Sequence, residues 1–515
     1  MKLIVLHFHF RPGGVRRVIE TAVPFLPRAL PAIDRIVLAG GEAGDGEWNA
    51  IFAKKLAPVP VGFFVEPAFG YVSEQTRLAT ISSRIQAALA RLLDGGDALV
   101  WAHNLSIARN LPLARELARA CSVRGIPLVA HHHDWWFDNR WLRWPEMRRT
   151  GFRTIAEVAR VIFPANVKVR FAAINRADVR TLREHLGVRM HWLPNPAQRS
   201  APPNLRRVRI AKEWLREKLG DEAPVWLMPC RVLRRKNIAE ALLLTRWLRP
   251  EATLVTTGGA SSANEQPYTQ ALAAAARKHG WRLQIGVLGE NEAARPSLPE
   301  LLAASECLLL TSIQEGFGLA SLEAAAAGRP LITRFIPNIA PDLARFGFRF
   351  PQAYREIFIA LDAFDWAGEM QRQRALFREW KQRLPRTWRA LAEPPPLLQC
   401  AVVEPVPFSR LTLTAQIEVL ARPAAESWTL CAKWNPQLRG WKMRSAEGRL
   451  EPTQWPAVAD EWLDGNAYAR RFAEIVRCNS REPARRNLAV CAQSEFIRLK
   501  LRSSQLFPLL FARKS

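Results

Sequence analysis

Nowhere does this 515-residue chain carry an apolar run of about 18 residues, so its sequence offers no membrane-spanning helix. Cysteine is scarce: seven residues, at 121, 230, 307, 400, 431, 478 and 491, fall in no paired spacing that would hold zinc or build a disulfide frame. A reducing cytoplasm is the expected setting. Low-complexity blocks and obvious repeats are absent as well, which argues against a largely disordered chain. The opening MKLIVLHFHFRPGG has only about eight apolar residues in a row, contains two histidines and lacks a small-residue cleavage site. It is expected to be a first buried strand, not a leader.

What is present is length and basic charge. A single core stops growing near ~250 to 300 residues, so at least two domains are expected. The net charge of +27 favours anionic partners, yet most of the excess is arginine spread from end to end with no separate basic tail. A background bias toward arginine explains it as well as a polyanion or an acidic membrane face does.

Short apolar runs alternate with helical patterns. KLIVLHF (2–8), RIVLAG (35–40), ALVWAH (98–103), IPLVAHH (126–132) and FAAIN (171–175) read as strands, several ending in histidine or asparagine. After the proline-rich WLPNPAQRSAPPN (192–204) the alternation restarts with VWLMPC (225–230), ATLVTTGG (252–259), LQIGVLG (283–289), CLLLTS (307–312) and PLITRF (330–335). Strands alternating with helices imply crossover units and parallel sheets. The fold class is therefore α/β, with two doubly wound domains. Ligands of such sheets settle beyond the carboxyl ends of the strands, so a cleft between the two domains is the expected meeting place of two substrates. From 353 the pattern turns to basic helix, AYREIFIALDAF and EMQRQRALFREWKQRLPRTWRALA, before EPPP (393–396) marks a break.

QEGFGLASLEAAAAGRP (314–330) sets Glu315 just past a buried strand, with glycines at 316 and 318 and Glu323 inside the helix that follows. Eight helical residues would rise ~12 Å, the length of a ligand with hydroxyls at both ends and phosphates between, which a helix N-terminus favours. A solvated helix with acidic first turns is the alternative. In CRVLRRKN (230–237), Arg231 and Lys236 follow the first strand of the second domain and could meet developing phosphate charge; a basic turn is the alternative. No Asp-x-Asp pair occurs to hold a metal there. FHFRPGGVRRVIE (8–20) puts Gly13 and Gly14 between strand and helix, as a ligand loop or a plain turn. In IPLVAHHHDWWFDNRW (126–141), His131 and His133 point to one face of a strand end and His132 to the other. His7, His9 and His103 also fall at carboxyl strand ends, which keeps structural and metal-binding readings open beside a catalytic one, although no recognisable ligand spacing is complete. Trp135, Trp136, Phe137, Trp141 and Trp144 are core by default, or flat faces for sugar rings.

EGFGLASLEAAAAGRPLI resembles the paired-glutamate motif of retaining glycosyltransferases of the two-domain GT-B type, the glycosyl transferases group 1. The resemblance implies two Rossmann-like domains facing each other across a cleft: 1–200 for the acceptor, 201–352 for the nucleotide sugar, then helices 353–392 returning to the N-terminal domain. It implies that Glu315 contacts the donor sugar, Glu323 the ribose, Arg231 and Lys236 the diphosphate, with loop amides at Gly316, Phe317, Gly318 and Leu319. Gly13 and Gly14 would lie against diphosphate and acceptor, and His133 would orient donor and acceptor. His103 and Asp134 would complete the acceptor side, while Pro194 and Asn195 resemble the junction motif between the domains. Catalytic duty would fall to His133, Glu315, Arg231 and Lys236, with no metal and no cofactor beyond the nucleoside-diphosphate sugar as co-substrate, and with the leaving diphosphate helping to deprotonate the acceptor. The acceptor would be a saccharide, a lipid-linked molecule or a small molecule; nucleic acid is not an expected partner. The setting would be cytoplasmic, with peripheral contact at an anionic inner membrane face. Two features depart from the family: alanine stands where members often have methionine in LEAAAAG, and residues 393–515 form an accessory extension of unknown role. A phosphorylase or a sugar-nucleotide epimerase of the same fold remains an alternative. So does a non-catalytic polyanion or membrane-surface binder working through the tail RLKLRSSQLFPLLFARKS.

Overall fold

The structure is a computed structural model that describes all residues except 74, 75, 77, 139–142, 167, 200, 261, 290–294, 400–403, 479–485 and 512–515. The chain divides into two compact units, one comprising 1–198 and 457–500, the other 199–456 and 501–515.

The first unit is built on seven strands: β1 (Lys2–Leu6), β2 (Arg35–Gly40), β3 (Val61–Val65), β4 (Ala98–His103), β5 (Leu128–His132), β6 (Val169–Ala173) and β7 (Met190–Trp192). They run in the order 3-2-1-4-5-6-7, every neighbouring pair parallel. Leu3 to Leu6 and all of β4 are buried, which is why these strands read as unbroken apolar runs and not as alternating ones. The order reverses between β1 and β4, so the crevice beyond their carboxyl ends is the place where such a sheet takes a ligand.

The second unit repeats the scheme with β8 (Val225–Met228), β9 (Thr253–Thr256), β10 (Leu283–Gln284), β11 (Cys307–Leu310), β12 (Leu331–Arg334) and β13 (Gln352–Tyr354), in the order 10-9-8-11-12-13 and parallel throughout. Its reversal lies between β8 and β11. The two doubly wound domains expected from the sequence are thus present, and the short edge strands β3, β7 and β13 add to those anticipated.

Three expectations need correction. Residues 353–364 are not the expected long helix, and only Leu361–Ala363 makes a 3-10 turn: β13 ends at Tyr354, and β14 (Phe358–Ile359) pairs antiparallel with β15 (Val406–Pro407), because Ile357, Ile359 and Ala360 are buried beneath the helices that follow. The helix Trp366–Arg383 and the rest of 353–392 fall in the second unit, not the first; within it Trp380 lies tilted against Phe511, 5.4 Å between ring centroids. The extension 393–515, in turn, is not one accessory piece. Its helices Leu413–Ala421, Ala424–Cys431 and Pro436–Ala446 cover Ile238–Leu248, a helix with ten of its eleven residues buried that needs apolar cover on every side. The segment that joins the first unit is 457–500. There Tyr468 and Phe472, on the helix Gly465–Arg477, lie 6.0 and 5.1 Å from Trp101, and Lys500 pairs with Asp138 at 2.6 Å.

Among the described residues no helix is long and apolar enough to cross a membrane. In the tail proposed as a surface binder, Leu501, Leu506, Leu509 and Phe511 are buried in the protein and offer nothing to a lipid face.

Candidate functional site

In the second unit the chain leaves β8, makes a short 3-10 turn at Arg234–Lys236, and enters the helix Ile238–Leu248 through Asn237 in the left-handed region, φ 51°. The loop after β11 is stitched to that turn. Thr311 Oγ1 donates to the carbonyls of Lys236 and Asn237 at 3.0 Å each, and Ile313 N donates to the Arg235 carbonyl at 2.9 Å. The loops on either side of the topological reversal are therefore held in register by the Thr311 hydroxyl and one backbone bond.

This stitching delivers Glu315 to two cations. Lys236 Nζ donates to one carboxylate oxygen, and Arg235 Nη1 lies 2.8 Å from the other. Arg235 also donates to the Gln314 carbonyl at 3.0 Å, while Asn338, following β12, donates to the Glu315 carbonyl at 2.8 Å. Burial by itself would raise the carboxyl of Glu315, but Arg235 and Lys236 overcome it and hold the group down at about 2. A carboxylate that stays ionised is a strong acceptor for hydroxyls.

Beyond Glu315 the chain turns at Gly318, with φ 89° and room for no side chain: a Cβ there would stand 3.0 Å from Ile339 Cδ1. The helix Leu319–Ala326 begins at once, and no side chain caps its first amides. Such an end favours an anion. Glu323 is its fifth residue and half-buried. Only Leu319 onward is helical, so the ~12 Å expected for a continuous helix does not describe the glutamate spacing; the helical part from Leu319 to Glu323 rises about 6 Å.

Arg231 is placed differently from Lys236. It is exposed, makes no ion pair among the described residues, and lies against Gly258 after β9, where a Cβ would meet Arg231 Cγ at 2.9 Å. The expected basic pair is thus divided between one cation engaged with Glu315 and one open to solvent. Sequence spacing missed Arg235 and Asn338. The run RRK held the signal for the first, but nothing in it told which of three adjacent cations would turn inward.

In the first unit His103 ends β4, His131 and His132 end β5, and all three are buried, as is His133. His103 Nδ1 lies 3.1 Å from His133 Nε2. Asn104, at φ 61°, accepts from the amides of His133 and Asp134 at 2.8 and 3.0 Å and so fixes the turn after β5. Burial, with help from neighbouring imidazoles, lowers His133 and His7 to about 3 and His103 and His131 well below their ordinary value. These rings are neutral at neutral pH and can ligate or share a proton, not supply positive charge.

Gly13 is extended, at φ 168°, and a Cβ on Gly14 would meet nothing within 4 Å. Neither glycine is demanded by the protein's own packing. Trp135, Trp136 and Phe137 are core and Trp144 is half-buried, so the first three make no open faces for a sugar ring; Trp141 lies outside the described residues. Pro194 and the buried Asn195 precede the division between the units.

Residues 212–345 match the family model described as glycosyl transferases group 1. A mannosylglucosyl-3-phosphoglycerate synthase from Petrotoga mobilis is 25% identical over 353 residues, covering 64% of this chain and 64% of that one. The chain therefore spans less than two thirds of that relative's length. Solved structures with a similar course include Anabaena HepE in complex with UDP-glucose (18% identical, 87% of this chain and 100% of that one, TM-score 0.48). Another is WaaG, a glycosyltransferase involved in lipopolysaccharide biosynthesis (15% identical, 92% and 99%, TM-score 0.48). The two parallel sheets and their reversals, not these scores, carry the fold. The glutamate loop, the cation turn and the uncapped helix all lie inside the segment 212–345 that matches the glycosyl transferases group 1.

Proposed function

We propose that this protein transfers a glycosyl group from a nucleoside-diphosphate sugar to an acceptor hydroxyl, with retained anomeric configuration and without a metal on the donor diphosphate. The observation that carries the reading is Glu315, half-buried yet ionised, gripped by Lys236 and Arg235 beside an uncapped helix start at the reversal of the second sheet. The carboxylate accepts from sugar hydroxyls. The amides at Leu319 and its neighbours, with Arg231 and Lys236, meet the charge that develops on the departing diphosphate, the part a metal plays elsewhere. Glu323, one helical turn on, accepts from the two ribose hydroxyls. No side chain among these is placed as a nucleophile, so the leaving diphosphate takes the acceptor proton on the same face of the sugar. Gly14 keeps the first unit's strand-to-helix turn open for the acceptor. The Petrotoga relative, by its name a synthase of a glycosylated phosphoglycerate, supports glycosyl transfer to a small acceptor over phosphorolysis or epimerisation.

The test is release of nucleoside diphosphate from a panel of nucleotide sugars, with and without acceptors, in the presence of a chelator, and the anomeric configuration of the product by NMR. Acceptor-dependent release with a retained anomer is expected. Release of free sugar phosphate, or an inverted product, would overturn the assignment.

A further inference from the structure

His103 and His131 are register partners on the adjacent strands β4 and β5, and His133 follows on the same strand end. One ring nitrogen from each of the three lies within 4.8 Å of the others. All three side chains are buried, and His103 Nε2 has no hydrogen-bond partner. Buried polar groups are nearly always paired, so three neutral imidazoles that converge with so little to bind pose a question of what they face.

We propose that His103, His131 and His133 form a three-nitrogen site for a divalent transition metal ion of the zinc type, built wholly from the first unit. Zinc–nitrogen bonds of 2.0–2.1 Å in tetrahedral geometry set ligand nitrogens about 3.3 Å apart. His103 Nδ1 and His133 Nε2, at 3.1 Å, already stand at that spacing. His131 has to close by at most about 1.5 Å, a side-chain rotation, to join them. The strand register holds the backbone on which these rings turn.

The ligand set also selects the ion. Three imidazoles with no carboxylate or carbonyl among them disfavour calcium and magnesium, which take oxygen, and suit zinc, cobalt, nickel or copper. Three protein ligands leave a fourth position for water or for an anionic oxygen, which would offset a cation brought into a buried site. A path of imidazoles leads inward: the half-buried His9 lies 5.2 Å from His7, and His7 6.2 Å from His103, between ring centroids.

This inference goes beyond the glycosyl-transfer reading and does not rest on it. A metal on His133 takes the lone pair that would otherwise reach a sugar, so the two roles for that ring exclude each other. The experiment therefore reads metal, not turnover. Full-length protein stripped by a chelator is titrated with Zn²⁺ by calorimetry and with Co²⁺ by visible absorption. One equivalent per chain, with the bands of four-coordinate cobalt, is expected, and His103→Gln or His131→Gln should each weaken binding at least about 100-fold. His185→Gln, on the helix Arg176–Leu186, should leave it unchanged. X-ray absorption of the zinc-loaded wild type gives an answer even if a variant fails to fold: a shell of nitrogen and oxygen with imidazole scattering is expected. No uptake, a sulfur ligand, or uptake equal in wild type and both variants would overturn the site. Nucleotide-sugar binding measured on the same stripped protein separates this outcome from a failure of the transfer reading.

Discussion

Arg235 Nη1 stands 2.8 Å from Glu315 Oε2 while Lys236 Nζ holds the other oxygen, so two successive cations enclose one half-buried anion. The side chain of Glu315 is 17% exposed and that of Lys236 11%, so solvent screens the pair only weakly. Such an arrangement is costly to break from one side, because the partner charges remain.

Glu315→Gln should therefore lower both stability and turnover. Removing one member of a buried pair costs about 3 kcal/mol or more, and losing a preorganised polar contact to the reacting sugar costs about 100-fold in kcat. The folded carboxyl titrates at about 2, below its ordinary 4.5, so its contribution is fully present above the unfolded value and lost only as pH falls toward 2. Glu315 consequently gives no inflection to a pH–rate profile near neutrality. Wild-type turnover in the variant, or a kcat inflection that disappears with it, would remove the assigned role.

Lys236→Ala and Glu323→Ala should separate chemistry from binding. Lys236 bears on the charge that grows as the diphosphate departs, so its loss should lower kcat. Glu323 accepts ground-state hydroxyls, so its loss should raise KM for the donor by about 10-fold or more with a smaller change in kcat. Steady-state kinetics with a varied donor distinguish them. The same split reversed would exchange the two roles.

The glycines offer a cleaner separation. Gly318→Ala meets Ile339 at a left-handed φ and should destabilise by about 1–2 kcal/mol, seen as a lower melting temperature. Gly14→Ala meets nothing and opens a helix, so its melting temperature should hold or rise slightly. If Gly14 serves a ligand, the acceptor KM still rises in that stable variant. An unchanged KM would make the glycine a plain turn.

Much of this was legible in the residues because parallel strands buried on both faces, such as β4, are written as continuous apolar runs that periodicity finds at once. The paired glutamates stood out for the same reason, framed by a strand, a turn glycine and a helix. What stayed hidden depends on contacts far apart in the chain. β13 and β14 are too short for a period, and AYREIFIALDAF alternates as a helix would until Ile357 and Ile359 are seen buried under residues near 406 to 435. The helix Gly465–Arg477 reads as an ordinary amphipathic helix, and nothing local says that its apolar face closes over Trp101, distant in the sequence but in the same unit.

That placement makes the late segment a structural part of the first unit. Phe472 is fully buried in the core that includes Leu3, Val5 and Trp101, and Gly465 approaches Phe25 so closely that a Cβ would overlap its ring. Phe472→Ala should cost about 3–5 kcal/mol, and Gly465→Val should lower expression or melting temperature as well. Thermal unfolding of the full chain checks both. Wild-type melting in each would mean that 457–500 is an appendage after all.

Acid should find the same unit weak. His132 has both ring nitrogens unpartnered and sits 4.9 Å from Trp135 and 6.1 Å from Phe171, between ring centroids. Burial, then the neighbouring His131, lowers it from 6.5 to about 3. Between those values the unfolded chain takes up a proton that the folded chain refuses. Stability is therefore complete above about pH 6.5 and falls by roughly 1.4 kcal/mol per pH unit for each such histidine as the pH drops toward 3. His7 and His133 share the direction and the window. His132→Phe removes one of these titrating groups and fills an aromatic surround, so near pH 7 its stability should match or exceed the wild type. Urea midpoints from about pH 7 to 4.5 should then fall less steeply, by about one proton. Parallel slopes in the two proteins would mean that His132 is already protonated, or already free to be, in the folded state.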